Sequence, residues 1–539
     1  MGEPGRSRAG QLRTLRLART ASVALLVLAA CGWFAWARLA PRPEAVTAKK
    51  PVADAGGARI VSGTFLGDAA RRTYGGGPAP TGLRQIWKVK IGQGWTRRKS
   101  DEKRVLWAGT GWTGQCTMVN DGGRDWLIVG GYDHKLRKLD AATGEVAWEY
   151  AFDDVIKGTN TVFVNPRPTS TDDRLIVVAG SRRGSDYAVG DPRIAPLRAV
   201  AFGTGRELWR LPVPKTDNYS QDVDASGLLI GRSYYAAVES GYIYRLDPTR
   251  TTAWGSFRRP SVIATSPRLY TAADARSHRD TGGANVAIEA SPARIGDRLY
   301  IASGAGHVFG LSLPNLRVVW DLKTGSDLDG TTVVTRDDKL LVGIEKQYIK
   351  GPGGVMLVDP SEPPASSIVW YFPTAERGYS EWLGGIIGSV ATNEESIPDG
   401  TKPRLASFLS VDGNLYVTAI DTLSSRTAQG PDGRTRYPRP RLVFSERVGG
   451  SISTPVIVGD TIVVASSEKS VSLYRIAWTP AAAGDGEALA ARDGSLWRVR
   501  VTRGASFRTG GPVESTPLVH DGRVYVGCRD GFLYCLGDR

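Results

Sequence analysis

Apolar residues in this chain fall in short alternating runs rather than at helical spacing. Val513 to Leu536, "VESTPLVHDGRVYVGCRDGFLYCL", shows the order clearly. A β-branched run meets an Asp-Gly turn, a second run carries Tyr and Val, and a third follows another glycine turn. The same order returns in "SISTPVIVGDTIVVASSEKSVSLYRI" from Ser451, "IEASPARIGDRLYIASGAGHVFGLSL" from Ile288 and "GQCTMVNDGGRDWLIVGGYDHKLRKLD" from Gly114. Runs of this length between Gly/Asp turns predict strands joined as hairpins. A fourth run ends on a large aromatic: "KLDAATGEVAW" on Trp148, "AVAFGTGRELW" on Trp209 and "RLDPTRTTAW" on Trp254. Looser relatives end on Trp320, Trp370 and Trp497. Phe444 takes the place in "RLVFSERVGGSISTP", and Trp87 in "LRQIWKVKIG" stands ahead of the first complete unit.

These eight anchors lie 45 to 74 residues apart. Repeated four-stranded antiparallel units of this size predict an all-β, eight-bladed β-propeller, in which each sheet is covered by its neighbours. The aromatic then wedges between adjacent blades, and the glycine four residues before it permits a tight turn. The last unit stops after its third strand, so residues 84–90 are expected to supply the fourth strand of blade eight, closing the ring.

The N-terminus has a different pattern. Arg6, Arg8, Arg13, Arg16 and Arg19 precede an 18-residue run without charge, Thr20 to Ala37. A helix of that length spans about 27 Å, enough for a bilayer core, with the arginines held in the cytoplasm. This predicts a basic cytoplasmic segment (1–19), a transmembrane anchor or signal sequence (20–37), a linker (38–62) and an extracytoplasmic propeller (63–539). Three outcomes stay open for the apolar run: an uncleaved anchor, lipidation of Cys31 in "LAAC", or cleavage after "AWA". Each places the propeller outside the cytoplasm, with the inner membrane as a partner wherever the run is retained.

The net charge is +15, of which about half lies within residues 1–50. The remainder is too dilute to indicate nucleic-acid binding. The four cysteines form neither a Cys-x-x-Cys motif nor an adjacent pair, so haem attachment, a zinc ribbon and a disulfide framework lack support. Cys535 should face Tyr525, out of register for a bridge to Cys528.

The phrase Ala/Leu-x-Asp-x-x-Thr-Gly-x-x-x-Trp, matched most closely by "KLDAATGEVAW", resembles the tryptophan-docking repeat of pyrroloquinoline quinone (PQQ)-type propellers. The resemblance covers about Gly63 to Arg539 and includes the lead-in "GTFLGDAARRTYGGGPAPTGLRQIWKVKIG". It implies one of two branches. Quinoprotein dehydrogenases hold PQQ and Ca²⁺ at the axis, in well-known members against a ring of neighbouring cysteines. BamB-like lipoproteins are non-catalytic scaffolds for other envelope proteins. The absent cysteine pair favours the second branch, with no cofactor; a membrane-bound PQQ- and Ca²⁺-dependent oxidoreductase is the alternative. The first strand of each unit should line the channel. There Glu289 and Glu514 occupy matching positions, as do Asp222 and Asp329, with Asp224 and Asp327 nearby; a wet, charged channel or a bound cation would use them. Longer connections at 253–286, 390–404, 423–441 and 479–493 are expected to dock partners.

Overall fold

A computed structural model describes residues 57–538 apart from 281–282, 379–381 and 399. The apolar run at 20–37 and Cys31 lie outside the described residues. Among the described residues no helix is long and apolar enough to cross a membrane.

Eight sheets of four or five strands, antiparallel except where Gly75–Gly76 joins blade eight in parallel, follow one another along the chain, with two small two-stranded ribbons between them. Blade one consists of Thr117–Asp121, Arg124–Gly130, Lys135–Asp140 and Val146–Ala151. Each later blade repeats this meander, through Leu518–His520, Arg523–Gly527 and Phe532–Gly537 in blade eight. The fourth strand there is Arg84–Lys90, which pairs antiparallel with Phe532–Gly537. The beginning and end of the propeller therefore share a sheet. The alternation read from sequence also sets burial: in Thr461–Ser466 and Ser233–Val238 every residue is covered, because both faces of a blade meet a neighbour.

Tryptophan docking has a defined geometry. Trp87 Nε1 donates to the Ala141 carbonyl of blade one at 3.2 Å, and Trp148 to Phe202 of blade two at 2.9 Å. Trp209 donates to Pro248 (2.8 Å), Trp320 to Glu362 (3.0 Å) and Trp370 to Ile420 (3.0 Å). The acceptor lies in the turn after the third strand of the next blade for Trp87, Trp148 and Trp320, and within the extended third strand for Trp209 and Trp370. The glycine of that turn is needed twice. Gly144 has φ +79°, and a Cβ there would come 2.6 Å from Val89 and 3.0 Å from the Trp87 ring. Gly205 stands in the same relation to Trp148.

Trp254 and Trp497 correct the sequence reading. The docking position directly follows a β-bulge in the fourth strand, at Lys138↔Trp148, Ala199↔Trp209, Gly310↔Trp320, Leu357↔Trp370 and Val417↔Phe444. In blade three that position holds Ala264, and in blade seven Ser506. Trp254 faces Phe257 at the tip of a long hairpin, Tyr242–Trp254 with Phe257–Thr265. Trp497 is similarly displaced, with Nε1 on Ser495 Oγ. The third and fourth strands of blades three, six and seven extend well past the ring, so their turn aromatics travel outward with the hairpin tips. The connection at 423–441 is largely such a hairpin rather than an irregular loop, whereas 479–493 is mostly turns beyond the strand ends, with the short strand Leu489–Ala490.

Near the axis a belt of Ser/Thr hydroxyls links successive blades. Backbone N–H groups of Ser226, Ser291, Thr331 and Ser389 donate to the hydroxyls of Ser291, Thr331, Ser389 and Thr454 in turn, at 2.8–3.0 Å. Two of these residues, Ser291 and Thr454, precede proline, which favours an extended backbone there.

The lead-in closes the axis. Arg59–Ser62 pairs with the first strand of blade one and Gly75–Gly76 with that of blade eight. Between them Gly63–Tyr74 crosses the ring. Arg71 is fully buried there, and all five of its N–H groups are used. They reach the Pro292 carbonyl twice, Phe65 and Ser226 carbonyls, and Thr64 Oγ1, at 2.7–3.0 Å. A wet open channel was the expectation; a plug of the chain's own residues stands in one end of it.

Candidate functional site

The opposite end is covered by a hairpin outside the blades, Gln93–Arg97 with Arg104–Ala108. Thr96 Oγ1 accepts from Arg182 (2.8 Å), and Arg97 Nε donates to the Ser185 carbonyl (2.7 Å). Lys99 at the turn carries an ammonium into the axis. Its Nζ lies 2.8 Å from Glu239, 3.4 Å from Asp222 and 3.6 Å from Glu289, and 4.8 Å from the Tyr219 ring centroid. A second ammonium, Lys157, pairs with Asp224 and Glu289 and stands 4.5 Å over the Trp112 ring. Trp112 Nε1 donates to Glu289 Oε2 (3.0 Å). Arg182 Nε donates to Asp222 (2.9 Å).

Asp222, Glu289 and Asp329, singled out from sequence, thus converge at the axis. Glu514 does not join them: it pairs with Arg529 at 2.8 Å. Lys99, Lys157, Glu239 and Glu345 were not among the residues read from sequence. A signal for two of them exists. Glu239 and Glu345 each follow directly on the second strand of their blade, after Val238 and Ile344. Lys99 could not be found this way, because its hairpin belongs to no repeat.

The acids fall into two electrostatic classes. Burial opposes ionisation of Asp222, yet Lys99 and Arg182 outweigh it and hold the carboxyl far below the usual range. Burial alone would lower the Lys99 ammonium, but Glu239, Tyr219, Glu289 and Asp222 raise it well above its ordinary value. Asp327 behaves oppositely. Burial, then the charge of Glu289, pushes it up to about 7. Asp329 is likewise raised well above its ordinary value, by burial and then by Asp327. Oxygens of Asp327, Asp329 and Glu345 lie within 4.8 Å of one another, a spacing compatible with a hard cation. Asn285 Nδ2 donates to Asp327 Oδ2 (2.6 Å).

Between this cluster and the plug lies a cavity lined by Asp224, Glu289, Asp329, Trp112, Phe65 and belt hydroxyls, with about 20 Å³ open to a water-sized sphere. A water needs about 10–15 Å³. The space fits a water or a single ion as it stands. Trp112 is engaged by Glu289 and Lys157. Cys116, Cys528 and Cys535 are buried free thiols, each pushed up to about 12 chiefly by burial; Cys535 faces Tyr525. The axial residues therefore do not fit PQQ, and no step through it follows.

These features define a PQQ-like propeller whose axis is filled by its own charged side chains. The family described as "Outer membrane protein assembly factor BamB" matches residues 79–361, just over half of the chain, and the chain belongs to that family. Similar solved structures include BamB from Moraxella catarrhalis, at 15% identity, covering 85% of this chain and 98% of that one, with a TM-score of 0.44. A computationally designed protein, Ika8, is 11% identical, covering 80% of this chain and 96% of its own, with a TM-score of 0.44. The comparison with curated proteins gave no match.

Proposed function

We propose that this protein is a non-catalytic protein-interaction scaffold of the bacterial cell envelope, tethered at the inner membrane by residues 20–37, with the propeller on the extracytoplasmic side. The observation that carries this reading is the state of the axis. Lys99, Lys157 and Arg182 are already paired with its acids, and the cavity beside them is small. Membership of the BamB family supports the same reading, as does the arginine-flanked apolar run. Contacts with partners then fall to the outer strands and the extended hairpins of blades three, six and seven.

Crosslinking in intact cells with the full chain as bait, followed by mass spectrometry, tests it. The expected result is capture of envelope proteins through propeller residues, reduced when the hairpin tips are shortened. Crosslinks confined to residues 1–50, or to cytoplasmic proteins, would contradict the proposal.

A further inference from the structure

The ring's outer wall is electrostatically lopsided. The outer strands of blades six, seven and eight are Arg436–Arg447, Leu496–Arg508 and Arg84–Lys90. Together they contain 11 Lys/Arg and one acid, Glu446. The outer strands of blades one to five contain four Lys/Arg and three acids. Charges on sheet edges ordinarily discourage strand-to-strand aggregation. That purpose would place them around the whole ring, yet Ile368–Pro373 of blade five has none.

Part of this charge is used internally. Arg503 pairs with Glu446 (3.1 Å), and Arg441 donates to the Gly486 carbonyl (2.5 Å). Arg84, Arg447, Arg500 and Arg508 are exposed and have no ion-pair partner among the described residues. Exposed Leu442 and, on the adjoining strand, Leu423 lie on the same wall.

We infer that the outer wall of blades six to eight is a docking surface for an acidic polypeptide. This deepens the scaffold reading and rests on it for its biological meaning. The shape of the wall selects among anionic partners. Eight blades share the circle, so the outer strands of blades six and eight face directions about 90° apart. A planar membrane cannot meet both, whereas a polypeptide can follow the curve. Single-stranded nucleic acid would call for exposed aromatic rings. The rings on these strands, Trp87, Tyr437, Phe444, Trp497 and Phe507, are all partly covered, while the exposed leucines suit a protein.

The test uses the full chain and a fluorescent peptide of about 20 residues alternating Glu with Thr and Val, read by anisotropy. The expected result is saturable binding that weakens with salt. Combined Arg84→Glu, Arg447→Glu, Arg500→Glu and Arg508→Glu substitutions should lower affinity about tenfold or more. Arg258→Glu with Arg259→Glu, on blade three, should change it less than about twofold. Circular dichroism and thermal unfolding verify that both variants fold. Equal binding by the two variants would overturn the inference. So would tighter, wall-dependent binding of a single-stranded oligonucleotide or of phosphatidylglycerol vesicles. If peptide binding depends on the wall but crosslinking captures no envelope protein, the scaffold reading fails and the docking surface stands.

Discussion

Arg71 shows how one side chain can hold an axis. It is a buried cation that meets neutral acceptors rather than a carboxylate, and burial lowers it to about 9, so it remains charged at neutral pH. Arg71→Met would leave the carbonyls of Pro292, Phe65 and Ser226 unpartnered at once. The expected loss is on the order of 3 kcal/mol or more in chemical denaturation; a loss below about 1 kcal/mol would mean the plug does not depend on it. Asp327 gives a pH signature. Its folded value is raised above the unfolded one, so the protonated form is favoured by folding. Its contribution is intact below about pH 4 and becomes a penalty as pH rises through about 7. Asp327→Asn should therefore flatten the fall in melting temperature between pH 5 and pH 8 and raise it at pH 8. An unchanged slope would show that Asp327 is not the titrating group. Neither role was visible in sequence. Arg71 lay in a lead-in noted only for its resemblance, and Asp327 was marked as an acid near the axis without the neighbours that set its proton affinity.

Among the elements, the fourth strands show what pattern can and cannot convey. The Thr-Gly-x-x-x-Trp spacing located Trp148 and Trp209 because their turns are minimal. The looser phrases misplaced the anchors of blades three and seven because strand extension moves the turn while the bulge stays near the ring. The distinction is measurable. Trp209→Phe removes the Nε1–H donor to Pro248 and should cost about 1–3 kcal/mol. Trp254→Phe, at a hairpin tip, should cost less than about 0.5 kcal/mol. Equal costs would contradict the assigned docking position. The axial hairpin makes a similar case. Lys99→Met strands Glu239, Asp222 and Glu289 without their shared ammonium. Loss of a buried pairing partner costs about 3–5 kcal/mol, and residues 93–108 should become the first site of limited proteolysis. Retention of wild-type protection there would show that Lys99 does not latch the hairpin.

For the molecule as a whole, closure rather than composition decides what the protein can do. The eight-unit repeat was legible because every blade pays the same packing requirement with the same residue types. The filled axis was not, because it is made by two segments outside the repeat, 57–83 and 93–108, and by groups that meet only when the ring closes. With the axis taken, interaction surface remains on the wall and hairpins. The most direct test of that claim is a titration of the full chain with PQQ and Ca²⁺, followed by quinone absorbance and alcohol-dependent dye reduction. The account predicts no saturable spectral change and no dye reduction. A saturable quinone signal with turnover of an alcohol would contradict it.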